Sequence, residues 1–175
     1  AQPLRVLFVG ALVQHKGIGY LLDAVDRLSP HVELTLLGRR FQPNSRVDDA
    51  CRRWRWFESL SHHQVLDIMM ESDVLVLPSL GEGFGLVAAE ALACGVPAVL
   101  TPNVGASDLI HDGCEGFVVP ACSANAIAER LLALHRDRAL LARMSRQAQE
   151  TATQYSWASY RKNYADALRA VVACQ

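Results

Sequence analysis

The chain has 175 residues, of which 51% are hydrophobic and 20% charged, and this is the size and composition of one globular domain with its own core. Its net charge of -1, dispersed along the sequence, excludes the basic surface of a nucleic-acid-binding protein. The sequence contains no apolar stretch near the roughly 20 residues of a membrane-spanning helix, and it does not open with a signal segment.

Cysteine and histidine usage bears on location and metal binding. The five cysteines are an odd number and include no CxxC pair, which predicts reduced thiols and a cytoplasmic protein. The six histidines are scattered without the spacing of metal ligands. The sequence therefore predicts no metal site.

Six hydrophobic segments alternate with helical patterns. They predict strands at 4–9, 32–37, 54–58, 74–77, 97–100 and 117–119. The segment 74–77 is continuously apolar, which is typical of a parallel strand buried on both faces. The alternation predicts an α/β fold, a Rossmann-like, doubly wound parallel sheet of about six strands with helices on both faces.

Two helices have clear sequence signals. After Gly17, apolar residues recur with a helical period at Ile18, Leu21, Leu22, Val25 and Leu28. Ser61 and Gln64 have the spacing of a capping box, which predicts a second helix from this point.

The segments 41–49 and 123–172 complete the pattern. The first is the least regular part of the chain. From Ser123 the pattern is helical, with interruptions near Asp137 and Tyr155. Ser156 would cap a last helix, around 158–172, whose exposed apolar side we expect to favour self-association.

The strand order expected for this fold predicts where a ligand-binding crevice lies. In the order 3-2-1-4-5-6 the direction reverses between the first and fourth strands, and ligands bind at that point. The loop after the first strand contains Lys16, and the loop after the fourth contains Glu82. An anion between them would face the Lys16 ammonium and the positive end of the helix that follows Gly17.

The segment EGFGLVAAE, from Glu82 to Glu90, runs from the second loop into a helix. Its glycines, Gly83 and Gly85, let the backbone approach a ligand closely. At the positive helix end, a phosphate or diphosphate would face the amides of Phe84, Gly85 and Leu86. Glu90 is the candidate acceptor for two ribose hydroxyls.

These residues resemble the signature of the group 1 glycosyltransferases (family 4, GT-B architecture), in which two glutamates enclose seven residues of an EGFG(L)-type loop. The resemblance extends upstream to 8–10 and 16–17. It continues downstream through 91–99 and 112–120 to the aromatic-Ser-Trp element at 155–157, and so covers nearly the whole chain. In the family these landmarks belong to the C-terminal, donor-binding domain.

The resemblance implies that 1–175 is a single domain that binds a nucleotide-diphosphate sugar, in an enzyme whose N-terminal acceptor-binding domain is absent from this chain. The full-length enzyme would be a retaining hexosyltransferase of polysaccharide or glycolipid biosynthesis, without a metal or other cofactor. The isolated domain would be inactive, and only the missing half would contact a membrane.

The resemblance also implies roles for individual residues. Glu82 would lie beside the donor sugar and share the catalytic role with Lys16, and Glu90 would bind the ribose. The donor-binding set comprises Gly10, Lys16, Ser79, Gly83, Phe84, Gly85, Leu86 and Glu90. From the residues alone, Ser79 either hydrogen-bonds a phosphate or closes a turn.

The chain departs from the family pattern in three places, one of which is the turn after the second strand, where Arg39 and Arg40 follow Gly38 and the family often has a Gly-x-Gly-Pro-like turn. Ala11 stands where members commonly have arginine, which removes one cation from the diphosphate site. Glu58 replaces the glycine usual after the third strand, in a segment that the family places beside the nucleobase. Possible further donor contacts are Arg39, Arg40, Glu58, Ser59 and Leu60.

Other function classes fit less well. A dinucleotide-dependent oxidoreductase would have Gly-x-Gly-x-x-Gly after the first strand and an acidic residue after the second, where this chain has Arg39. A sugar-nucleotide epimerase has little support. Because of Ala11 and Glu58, the alternative is a nucleotide-binding or interaction module that has lost transferase activity.

Overall fold

The computed structural model describes residues 2–155, 161–162, 164–166 and 169. It contains one sheet of six parallel strands in the order β3-β2-β1-β4-β5-β6, which confirms the predicted fold class and strand order. The strands are β1 (Leu4–Val9), β2 (Val32–Leu37), β3 (Arg55–Phe57), β4 (Val74–Leu77), β5 (Ala98–Leu100) and β6 (Gly116–Val118).

Helices cover both faces of the sheet. They are α1 (Ile18–Leu28), α2 (Ser45–Arg53), α3 (His62–Glu71), α4 (Leu86–Ala93), α5 (Ala124–Arg136) and α6 (Arg138–Gln154). Short 3-10 helices lie at Gln14–Lys16 and Gly105–Leu109. Right-handed crossovers place α1 and α4 on opposite faces, where α1 packs against α5 and α4 against α6. The predicted stripe of α1 is buried.

The strand ends differ from the prediction by one residue at β3, β5 and β6. Strand β6 begins at Gly116, one position before the predicted strand, because the backbone of β5 lies unusually close there. A β-carbon on Gly116 would lie 1.9 Å from the Ala98 carbonyl oxygen. A glycine that suggests a loop in the sequence is therefore the residue that lets the two strands pair.

Helix α2 lies between β2 and β3, as the alternation predicts, but it begins inside 41–49, the stretch with the least regular sequence. Its start is fixed by Asn44, whose side-chain oxygen accepts hydrogen bonds from the amides of Arg46 (3.1 Å) and Val47 (3.2 Å). The helix buries only Val47 and Ala50 and is otherwise largely charged. The few apolar residues have helical spacing, but the segment as a whole is strongly hydrophilic.

The predicted capping signals elsewhere are confirmed. Ser61 and Gln64 form a complete capping box at the start of α3. Asp137 separates α5 from α6 and accepts a hydrogen bond from the Leu140 amide at 2.8 Å. Ser156 and most of the predicted last helix lie outside the described residues, so the exposed apolar patch stays a prediction.

Strands β1 and β4 are tied together at their amino ends and separate at their carboxyl ends. Asp73, just before β4, accepts hydrogen bonds from the Arg5 amide (2.8 Å) and guanidinium (2.6 Å) and from Arg138 on α6 (3.2 Å). The ladder between the strands ends at the pair Leu7 and Leu75. The sheet therefore opens beyond this pair.

Glu115 links the segment before β6 to the last turn of α6. Its nearly buried carboxylate accepts hydrogen bonds from Thr151 Oγ1 (2.7 Å) and the His111 amide (2.8 Å). Burial alone would raise the pKa of this carboxyl, but these hydrogen bonds outweigh burial and hold the pKa below its usual value. The folded state therefore favours ionised Glu115.

We expect Glu115→Ala to lower the free energy of unfolding at pH 7 by about 2–3 kcal/mol, because two donors lose a charged acceptor. Because the pKa of Glu115 is lower in the folded state, its ionisation stabilises the fold fully at pH values above the pKa of the unfolded state, about 4.3. This stabilisation is lost as the pH falls through the pKa of the folded state. The difference from wild type should therefore narrow below about pH 4.3. Urea titrations between pH 7 and pH 3 measure the difference in unfolding free energy between variant and wild type, with the exposed Glu129→Ala as control. A difference that does not change with pH would contradict the stabilising role of ionised Glu115.

Candidate functional site

The crevice between β1 and β4 is bounded by two loops that are locked together. The Leu80 amide, in the loop after β4, donates a hydrogen bond to the His15 carbonyl oxygen at 2.8 Å. A β-carbon on Gly17 would lie 1.9 Å from the Pro78 carbonyl oxygen, and Gly17 has a φ of 71°. Only glycine allows this approach in this conformation.

The loops bring Lys16 and Glu82 together. The Lys16 ammonium and a Glu82 carboxylate oxygen form an ion pair across the crevice. About one fifth of each side chain is exposed, 19% for Lys16 and 22% for Glu82, so both can reach a ligand. In the absence of a ligand the two charges compensate each other.

The loop from Glu82 to Gly85 is held in place by hydrogen bonds to its backbone carbonyl groups, whereas several of its backbone amides have no partner in the described structure. The Gly83 carbonyl accepts a hydrogen bond from the Gly105 amide at 2.9 Å, and the Phe84 carbonyl accepts one from Ala106 at 2.6 Å. Among the described residues no acceptor pairs with the amides of Phe84, Gly85 and Leu86. With α4 beginning at Leu86, these amides form the positive end of a helix.

The glycine at position 85 is required by the turn. Gly85 has a φ of 79°, and a β-carbon there would lie 2.8 Å from a methyl carbon of Val104. The neighbouring side chains, Phe84 and Leu86, are 48% and 58% exposed. The turn therefore presents two apolar side chains at the crevice beside its amides.

Glu90 lies one turn into α4, with 36% of its side chain exposed. It pairs with neither Lys16 nor Glu82; its carboxylate lies 4.0 Å from the Nδ1 atom of His62, the first residue of α3. The sequence motifs give His62 no role in the donor site. Its position directly after the 58–60 segment was the available signal.

Ser79 is fully buried, although it was predicted to bind the donor. Its carbonyl accepts a hydrogen bond from Thr101 Oγ1 at 2.6 Å, whereas its hydroxyl has no hydrogen-bond partner in the described chain. The hydroxyl is not on the surface of the crevice. Burial beside a structural hydrogen bond favours a role in the turn.

The structure distinguishes Arg39 from Arg40. Arg40 forms an ion pair with Asp48 (2.5 Å), and its guanidinium lies 4.5 Å from the centre of the Trp56 ring. The exposed Arg39 side chain has no such partner within the described residues. Its carbonyl accepts a hydrogen bond from the Leu12 amide at 2.9 Å, so Arg39 stands next to the loop after β1.

The remaining predicted residues lie around the crevice without touching the Lys16–Glu82 pair. Gly10 directly follows β1, and its carbonyl oxygen would be only 1.8 Å from a β-carbon on Gly38. Glu58 and Ser59 are exposed after β3, and Leu60 packs partly against the core. The structure thus places these residues at the carboxyl edge of the sheet, as expected for a doubly wound fold.

A cavity of about 330 Å³ lies at the opposite, amino edge of the sheet. Its three arginines are all paired with carboxylates: Arg5 with Asp73, Arg53 with Asp26 and Arg55 with Glu71. This cavity therefore offers an anion no unpaired cation.

The described residues show neither a metal cluster nor a spanning helix. In this part of the chain no three His, Cys, Asp or Glu side chains come together as a metal site. Among the same residues, no helix combines the length and the apolar surface needed to cross a membrane. Cys51, Cys94, Cys114 and Cys122 are free thiols, and burial raises the pKa of Cys51 and Cys94.

Comparison with known proteins assigns the family. Residues 1–151 match the model of the family "Glycosyl transferases group 1". This chain belongs to the group 1 glycosyltransferase family. The glycogen synthase of Mycobacterium tuberculosis is 30% identical over 164 residues, which are 89% of this chain and 40% of that protein.

Solved structures of GT-B glycosyltransferases share the fold. Sucrose-phosphate synthase from Thermosynechococcus elongatus matches 99% of this chain and 46% of its own, with a TM-score of 0.83 and 25% identity. HepE from Anabaena, in complex with UDP-glucose, matches 96% of this chain and 49% of its own, with a TM-score of 0.81 and 23% identity. This group 1 chain therefore spans less than half the length of each of these relatives.

Proposed function

We propose that this chain is the donor-binding domain of a retaining, metal-independent glycosyltransferase whose donor is a nucleoside diphosphate sugar. The observation that carries the proposal is the crevice between β1 and β4, where the Lys16–Glu82 pair lies beside the free amides of Phe84, Gly85 and Leu86. A cation and a helix N-terminus at one crevice fit a diphosphate.

The ion pair suggests how the donor engages the site. The diphosphate carries more negative charge than one carboxylate, so Lys16 turns from Glu82 to the diphosphate when the donor binds. The Glu82 carboxylate is then free to accept hydrogen bonds from the hydroxyls of the donor sugar. Binding thus exchanges one ion pair for another and does not leave Glu82 without a partner.

The same groups stabilise the transition state of transfer. The bond from the anomeric carbon to the diphosphate breaks as that carbon becomes oxocarbenium-like, and negative charge grows on the departing oxygen. Lys16 and the amides of the Phe84–Leu86 turn are already in place to stabilise this charge. These residues serve the role that a divalent cation has in other enzymes, which is the basis for proposing metal independence.

We place the acceptor-binding site in another part of the full-length enzyme. The named relatives are a glycogen synthase and a sucrose-phosphate synthase, and these names give two different products. We propose a hexosyl transfer in polysaccharide or glycolipid biosynthesis, in the cytoplasm. An N-terminal domain would supply the acceptor, and any membrane contact.

One observation favours the alternative, a nucleotide-binding module without transferase activity. At position 11 the chain has alanine, and the charge of Lys16 is compensated by Glu82. In that case the chain would bind a nucleotide, but its complete parent protein would not transfer sugar. Turnover by the complete protein, with a labelled donor, separates the two functions.

Nucleotide binding tests the proposal directly. We expect UDP, GDP or ADP to raise the melting temperature without magnesium, since ligand at 100 times its dissociation constant stabilises by about 2.7 kcal/mol. Glu90→Gln should weaken the best nucleotide about 10- to 100-fold, because a charged acceptor of two hydroxyls is lost.

The exposed helix residue Glu129 provides the matched control, since Glu129→Gln makes the same chemical change away from the crevice. It should leave the nucleotide affinity unchanged. If no nucleotide stabilises the chain, the proposed donor site is wrong. If nucleotides bind equally well to Glu90→Gln, the ribose assignment alone is wrong.

A further inference from the structure

We propose that His62 determines the specificity of the donor site for the ribose of the nucleotide, by sharing one ribose hydroxyl with Glu90. The inference rests on the proposed function, because it assigns a second contact within the same donor site. Nothing in the group 1 sequence motif points to this histidine.

The distance between the two side chains carries the argument. His62 Nδ1 and Glu90 Oε1 are 4.0 Å apart, which is too far for a direct hydrogen bond. A hydroxyl oxygen about 2.8 Å from each atom fits between them. A ribose hydroxyl can donate to the carboxylate and at the same time accept from an imidazole N–H, so its two roles match the two groups.

Both side chains are presented by fixed elements. His62 is the first residue of α3, whose start is set by the Ser61–Gln64 capping box. Glu90 lies on α4, one turn after the free amides proposed to hold the diphosphate. A nucleotide with its diphosphate at Leu86 would therefore extend its ribose along α4 toward the gap between His62 and Glu90.

The exposure of His62 agrees with a ligand contact and not with a core role. Its side chain is 68% exposed, and within the described residues its polar contact is the one with Glu90. The next residue, His63, is also exposed in the first turn of α3 but has no such contact within the described residues. The chain thus contains a matched control beside the proposed residue.

The test compares His62→Ala with His63→Ala in the complete chain. For each, affinities are measured by calorimetry for the nucleoside diphosphate that stabilises best among UDP, GDP and ADP, and for its 2′-deoxy and 3′-deoxy analogues. We expect wild type to bind both deoxy analogues more weakly than the ribonucleotide, because Glu90 accepts from two hydroxyls, and to bind most weakly the analogue that lacks the hydroxyl shared with His62. His62→Ala should weaken the ribonucleotide about three- to tenfold, the range of one lost hydrogen bond, and should reduce the discrimination against that analogue by the same factor, leaving the part that is due to Glu90.

His63→Ala should change neither the affinity nor the discrimination. If His62→Ala lost the same factor of affinity for the ribonucleotide and for its deoxy analogues, His62 would act without touching a hydroxyl, and the inference would be overturned. An unchanged affinity would also overturn it. Failure of the wild-type chain to bind any of the three nucleotides would instead reject the proposed function.

Discussion

Gly17→Ala should lower the free energy of unfolding by about 3–5 kcal/mol, a large part of the stability of a domain of this size. The added methyl group would lie 1.9 Å from the Pro78 carbonyl oxygen, which belongs to the backbone and cannot rotate away. Alanine is also strained at a φ of 71°. Urea denaturation followed by circular dichroism measures the loss.

Gly19, two residues further along the chain, provides the control. A β-carbon at Gly19 meets nothing within 4 Å, and Gly19 lies inside α1. Gly19→Ala should therefore stabilise the chain by about 0.5–1 kcal/mol, since alanine is the better helix former. Equal unfolding midpoints for Gly17→Ala and wild type would show that the two crevice loops do not touch as described.

Lys16→Met should lower kcat about 100- to 1000-fold in the enzyme that joins this chain to an acceptor-binding domain, with a much smaller change in KM. This is the cost of removing one preorganised charge that faces the leaving group in the transition state. The Lys16–Glu82 pair is partly exposed, so its loss should cost at most about 1 kcal/mol of stability. Initial rates with a labelled nucleotide sugar measure the effect.

Lys162→Met removes an exposed lysine outside the crevice and serves as the comparison. It should transfer sugar at the wild-type rate. If Lys16→Met keeps most of the wild-type kcat, the amides of the Phe84–Leu86 turn are sufficient for the leaving diphosphate, and Lys16 is not catalytic.

The sheet could be predicted from the sequence because most of its strands are short, largely apolar segments between turn residues. The strand order followed from a general rule of doubly wound folds, and so did the location of the crevice. The bounds of helix α2 could not be predicted, since beyond its local Asn44 cap it is held by ion pairs such as Arg53 with Asp26 at 2.7 Å. Those interactions depend on the fold around the helix.

The residues of the candidate site could be predicted from the sequence, but the contacts between their side chains could not. Sequence placed Lys16 and Glu82 on two loops at one crevice, but their pairing depends on the close approach of Gly17 to Pro78. Sequence alone also gives no sign that Ser79 is buried. The approach of His62 to Glu90 joins residues on two helices, and no local pattern encodes such a contact.

From the position of β1 in the sheet we expect β2 to pair with it before β4 does. Its neighbours are β2, which follows within about 30 residues, and β4, which is about 70 residues away along the chain. Until β4 docks, β1 has an open edge, and such an edge is a template for aggregation. Docking of β4 also brings Pro78 against Gly17, so the slow, long-range step creates the crevice. A nucleotide that binds only the finished crevice would therefore slow unfolding without speeding the steps before it.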